Sequence, residues 1–121
     1  MICFHKEIEK HDLGKGVVMQ VLGIGKNMNV IHWDMDDKSE VKTHTHPQEQ
    51  FGFIIKGQLD LTIEGKATSL TAGDGYFIPE GAEHSFIAIG QTEAIDVFSP
   101  IKMNYDNPRI DEILMDVRNN R

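Results

Sequence analysis

Between Val17 and Phe98 the chain is a succession of short apolar or alternating runs, interrupted by glycine or acidic-polar turn signals roughly every eight to twelve residues. That rhythm points to an antiparallel sandwich or barrel. The runs are VVMQVLGI, NVIHWDM, FGFIIKG, QLDLTIEG, GYFIP, HSFIAI and EAIDVFS, most of them carrying the β-branched or aromatic residues that strands favour. Lys56-Gly57 and Glu64-Gly65 fall where hairpins are expected to reverse, with glycine supplying the positive φ. After Phe98 the pattern changes. In NPRIDEILMDV, Ile110, Ile113, Leu114 and Val117 recur at helical spacing behind Asn107 as N-cap and Pro108 in the first turn, which predicts a short C-terminal helix. The expected organisation is an N-terminal leader or strand arm over 1–16, an all-β barrel over 17–103 and a helical tail over 104–121. A length of 121 residues fits one domain with enough chain to bury a core.

Charge narrows the partners. Nineteen acidic residues against twelve basic give a net charge of −7, with no extended basic run, which argues against nucleic acid or an anionic membrane surface. An anionic small-molecule substrate would need a local positive charge. Cys3 is the one cysteine, so neither a disulfide framework nor a cysteine zinc site is available. The charged start, MICFHKEIEKHD, does not read as a signal peptide, and no apolar stretch approaches membrane-spanning length. A cytoplasmic protein is expected.

The stretch HTHPQEQ, residues 44 to 50, concentrates metal-ligand chemistry in seven positions. On an extended segment, residues two apart share a face, so His44 and His46 project together. Pro47 disfavours a helix here. Gln50 follows His46 after three residues, Gly57 follows Gln50 after six, and GDGYFIPEGAEH places Gly73, Pro79, Glu80, Gly81 and His84 in order further on. This spacing resembles the two signature motifs of the cupin superfamily, from about residue 38 to 98. The resemblance implies an antiparallel jelly-roll barrel holding one divalent transition metal, with His44, His46, Gln50 and His84 as ligands. Two positions depart from the motifs: Lys38 stands where the first usually begins with glycine, and Ala88 where the second often ends with asparagine.

Three neutral imidazoles and a neutral amide would leave the full charge on the metal, where a glutamate would cancel half of it. Nickel, zinc, iron, manganese, cobalt and copper all suit imidazole and oxygen, and affinity order does not choose among them. Glu49, one residue short of the motif position, would face the opposite side of a strand from Gln50 and reads as a surface acid.

In EAIDVFSP, Asp96 alternates with Ile95 and Val97 and shares a face with Ala94 and Phe98. Inside the barrel it would be an acid beside a cation, where perturbed acids and bases occur; outside it would be merely solvated. Parity along one strand leaves both open. The segment resembles that of the small cupins of pectin and uronate breakdown, which convert ring-closed 4,5-unsaturated uronic acids to linear keto forms. The resemblance implies working roles for Asp96 and Phe98. Lys102 occupies the position of an arginine in those enzymes and supplies a point charge in place of a bidentate fork. A metal-dependent sugar-acid isomerase is thus the first expectation, with a non-catalytic metal or small-ligand-binding cupin and a metal-dependent dioxygenase as alternatives. Small cupins of this kind pair as homodimers through sheet faces or exchanged N-terminal strands, which is the expectation here too.

The remaining candidates read as structure. His32 fits a hydrogen-bonded or surface residue better than a fifth ligand. His5 and His11 belong to the charged leader and read as solvated. Trp33 shares a strand face with Ile31 and Met35 and reads as core. GIGK at 23 to 26 lacks the third glycine and the helix of a dinucleotide loop and reads as a turn. The six methionines read as core and interface filler.

Overall fold

The computed structural model describes residues 2–120. After a 3₁₀ turn at His5–Glu7 come β1 (His11–Gly14), β2 (Val17–Ile24), β3 (Asn29–Met35), β4 (Glu40–His44), β5 (Glu49–Ile63), β6 (Lys66–Thr71), β7 (Gly75–Ile78), β8 (His84–Ser99) and a closing helix α1 (Pro108–Asn120). Every strand pairing is antiparallel, and the connectivity is that of a jelly-roll barrel.

The architecture depends on two long strands that each serve two sheets. The first half of β5 lies between β7 and the second half of β8, and that sheet continues through β3, β2 and β1. The second half of β5 pairs with β6 and with the first half of β8, which β4 flanks. FGFIIKG and QLDLTIEG are therefore one bent strand, not two strands joined by a reversal at Lys56-Gly57, and HSFIAI and EAIDVFS are likewise one. Gly57 takes φ +86° but turns a corner instead of a hairpin, and a Cβ there would lie 2.3 Å from the Gln91 carbonyl oxygen. The Thr92 hydroxyl bridges the corner, donating to Gln58 O at 2.9 Å and accepting from Gln58 N at 3.3 Å. Glu64-Gly65 is a true reversal: both residues have positive φ, and Ile63 pairs with Lys66 across a two-residue turn.

The corner also changes which residues face inward. The β5–β8 register slips between Ile54 and Lys56 and again between Lys56 and Gln58. Before it β5 buries Gln50 and Ile54, and after it Leu59 and Leu61, so the inward set moves from even to odd positions. β8 keeps its even positions inward throughout, with His84, Ala88, Thr92, Ala94, Asp96 and Phe98 all buried. The apolar runs did not reveal β4 and β6, because EVKTH and KATSLT are polar and largely exposed.

Among the described residues two apolar clusters form the core. Ile54, Leu59, Leu61, Tyr76, Ile78, Ala88 and Ala94 belong to one. Met19, Val21, Ile31 and Phe98 form the other with Ile110 and Leu114, so α1 packs on the barrel. Its N-cap is Asn107, whose Oδ1 accepts from the backbone N–H groups of Arg109 at 3.1 Å and Ile110 at 3.3 Å. No described helix is long and apolar enough to cross a membrane.

Candidate metal centre

The three motif histidines converge. His44 ends β4 and pairs with His84, the first residue of β8, while His46 lies in the loop that leads into β5. Ligand nitrogens of the three lie within 4.8 Å of one another, with ring centroids of His84 at 4.2 Å from His44 and 4.8 Å from His46. Gln50 arrives from β5, buried and 3.0 Å from His46 Nε2 through Oε1. Glu49 is exposed, on the side opposite Gln50.

Backbone carbonyls fix how these rings point. His44 Nδ1 donates to Lys42 O at 2.8 Å, His46 Nδ1 to Gln48 O at 3.1 Å and His84 Nδ1 to Ala82 O at 2.9 Å. With the proton on Nδ1, every Nε2 carries a free lone pair, the form in which imidazole ligates metal. His84 Nε2 is buried with no hydrogen-bond partner among the described residues. Gln50 also hydrogen-bonds Asp96. Since a carboxylate can only accept, the amide NH₂ faces Asp96 and Oε1 is left toward His46 Nε2. Two acceptors 3.0 Å apart and an orphaned imidazole lone pair are the arrangement a cation resolves. The donor set therefore fits a divalent transition metal.

Electrostatics favour the neutral form of the two buried imidazoles, His46 and His84. Burial, followed in effect by the other histidines and Lys102, brings the His84 imidazole down to about 4 against the Ala82 hydrogen bond. His46 is lowered mainly by burial and then by the Lys102 charge.

Asp96 faces the interior and is 7 % exposed. It pairs with Ile31 of β3 and with Gly52 of β5. Tyr76 donates its hydroxyl to Asp96 Oδ1 at 2.6 Å and Trp33 its indole N–H to Oδ2 at 3.0 Å. Burial raises the carboxyl above the usual carboxylate range, and the bonds from Tyr76, Gln50 and Trp33 partly restore it. Tyr76 reaches Asp96 only because Gly52 has no side chain: a Cβ at that position would stand 1.9 Å from the Tyr76 ring.

Phe98 is buried with its ring 5.7 Å from His46 and 5.8 Å from Tyr105. Lys102 is buried as well; its backbone is clamped by Asn29 through two 2.8 Å hydrogen bonds, and its ammonium donates to Asn104 O and lies 4.0 Å from the Tyr105 ring centroid. Burial lowers its pKa, against Asp111 and Asp106.

The sequence readings missed Tyr76, Gly52 and Asn29 as supports, and took Trp33 for core alone. GYFIP reads as an ordinary apolar strand, and no spacing signals that its tyrosine meets an acid twenty residues on. Lys38, where the motif has glycine, takes φ +68°, the left-handed region glycine occupies without strain. His32 is not part of this centre. It points to the outer face of the first sheet and bonds Glu93, while His5, though exposed, packs its ring 4.9 Å from that of His32.

Comparison with known proteins agrees with this geometry. The family described as "Cupin domain" matches residues 31–98. An uncharacterized protein of Aquifex aeolicus (strain VF5) is 26% identical over 108 residues, 88% of this chain and 89% of that protein. Among solved structures, an RmlC-like cupin from Shewanella frigidimarina is 29% identical with a TM-score of 0.77, covering 80% of this chain and 87% of that one. KdgF from Halomonas sp. is 21% identical with a TM-score of 0.81, covering 84% of this chain and 94% of that one, a likeness of fold.

Proposed function

The chain belongs to the cupin family, and on that premise we propose that it is a metal-dependent isomerase of a small sugar acid, linearising 4,5-unsaturated uronates. The observation that carries the reading is the buried Asp96 carboxylate joined through Gln50 to the three-histidine set. A divalent metal held by His44, His46, His84 and Gln50 would supply Lewis-acid polarisation of substrate oxygens. Asp96 takes the proton of the anomeric hydroxyl as the ring C1–O5 bond breaks, and a proton returned to C4 converts the resulting enolate to the ketone. The step is an isomerisation, with no net oxidation. A raised carboxyl pKa suits Asp96 to give and take protons nearer neutrality. Phe98 walls the pocket, and Lys102 contributes a buried positive charge that favours an anionic substrate.

A second reading, a non-catalytic binding cupin, is favoured by the engagement of both Asp96 oxygens. Oxygen uptake by the metal-loaded protein would instead indicate a dioxygenase. The exposed apolar residues Phe51, Phe53 and Phe77 lie together on the outer face of the first sheet, with Phe51 opposite Phe77. They give a homodimer its pairing surface, to be checked by light scattering.

Elemental analysis of the parent beside His84→Ala and Gln50→Ala tests the centre. One transition-metal equivalent, lost or much weakened in both variants, is expected. Loss of the ultraviolet absorbance of unsaturated uronates on addition of the metal-loaded parent then tests the reaction. Metal binding without that loss would leave the binding reading in its place.

A further inference from the structure

Outside the barrel a second set of ligand groups comes together. His5 of the N-terminal arm, His32 of β3 and Glu93 of β8 place one ligand atom each within 4.8 Å of one another. His32 sits on the outer face between Gln20 of β2 and Ile95 of β8 in the ladder, yet is only 3 % exposed. The arm covers it and is held there by hydrogen bonds: Gln20 Nε2 donates to the carbonyls of His5 and Ile8, each at 3.1 Å, and the Cys3 thiol donates to Leu22 O.

The groups are not satisfied by one another. His32 Nε2 and Glu93 Oε1 lie 2.9 Å apart, a spacing two donor atoms take on one ion, and in the tautomer that leaves the lone pair on Nε2 they are two acceptors facing each other. Among the described residues no group hydrogen-bonds the buried His32 Nδ1, so nothing there opposes the tautomer that turns the Nε2 lone pair toward Glu93. Among the described residues, His32 is the one ion-pair partner of Glu93. The second imidazole, His5, has its ring 4.9 Å away and is exposed, so it can turn toward a common centre.

We propose that His5, His32 and Glu93 hold a second divalent transition-metal ion, of the zinc class, on the outside of the barrel, and that this ion fastens the N-terminal arm to the sheet. Two imidazoles and a carboxylate are a zinc-type donor set, and water completes the coordination on the side open to solvent. The carboxylate cancels half of the ion's charge, as suits a fastening more than a Lewis acid. The site is independent of the barrel centre, because the two share no residue.

Zinc alone is the probe. Chelator-stripped parent, His5→Ala, Glu93→Gln and His84→Ala are titrated calorimetrically with Zn²⁺, and the bound metal is counted after dialysis. His5→Ala removes an exposed side chain, so folding is not at issue. It is expected to bind one equivalent fewer than the parent, its outer affinity falling by more than the roughly ten- to hundredfold typical of losing an outer-shell partner. His84→Ala is expected to keep the outer equivalent. Zinc is further expected to slow tryptic cleavage at Lys6 and Lys10 in the parent and not in His5→Ala. Unchanged zinc stoichiometry and affinity in His5→Ala, or equal cleavage with and without zinc in the parent, would overturn the proposal. A His84→Ala variant that binds as many equivalents as the parent would count against the barrel centre only.

Discussion

Inside the barrel, His44, His46 and His84 each have Nδ1 pinned by a backbone carbonyl, so their ligating nitrogens are aimed before any metal arrives. Outside it, His32 is oriented by the Glu93 carboxylate itself, and His5 stands on an arm whose position depends on Gln20. The inner set carries no carboxylate and passes its one amide on to Asp96, whereas the outer set includes its carboxylate among the donors. What differs is whether the rings are fixed in advance and whether the ion's charge is left uncancelled.

The sharpest way to divide metal holding from chemistry is Asp96→Asn. Turnover of unsaturated uronate is expected to fall by roughly 10²–10⁴-fold, the range for loss of a general acid or base, while both sets keep their metal. Metal loss in that variant would mean that Asp96 organises Gln50 instead of moving a proton.

Acid distinguishes the inner set next. His84 accepts a proton near 6.5 when unfolded but only at about 4 when folded. The unfolded state therefore binds more protons between those values, and stability falls as pH drops through the window, by about 3 kcal/mol for the metal-free protein. Urea unfolding of stripped protein at several pH values measures this, and His84→Gln should flatten the slope. An unchanged slope would assign the effect to another group.

Gly52→Ala acts on the support and not on the ligands. The new methyl collides with the Tyr76 ring, and a loss of about 1–3 kcal/mol is expected, typical of overpacking. Thermal melting of the single variant and of its combination with Tyr76→Ala reads it, the second change relieving the clash. The smallest effect is expected from Glu49→Gln, on the outward side of the same strand as Gln50. Inner metal affinity should stay within about twofold, the scale of a surface substitution, and a larger drop would bring Glu49 into the ligand set.

Much of the strand pattern and the meeting of the three histidines could be read from sequence, because the strand runs and the spacing inside each motif are local. VVMQVLGI and NVIHWDM are β2 and β3 to the residue, and HTHPQEQ and EGAEH put His44 and His84 on two neighbouring strand ends with His46 in the loop beside them. The supports were not legible because they are made across strands: Tyr76 meets Asp96 through a gap that exists only where Gly52 pairs with both. Gly57 was misread for the same reason. A positive φ is compatible with a reversal or a corner, and what selects the corner is Thr92, which bonds Gln58 from thirty-four positions further along the chain. The side on which His32 lies was likewise open until β2 and β8 were placed around β3.

The bend in β5 works as a half-period phase shift, with Gln50 and Gly52 on one side of it and Leu59 and Leu61 on the other. A change of one residue in the segment 55–57 would cancel the shift and rotate one half of the strand by a full face. Gln50 would then exchange places with Glu49 or Phe51, or the odd-numbered leucines with their polar neighbours. Length variation at this corner is consequently admissible only in pairs, so a lineage that drifts by insertion and deletion elsewhere in its loops should hold this one at constant parity.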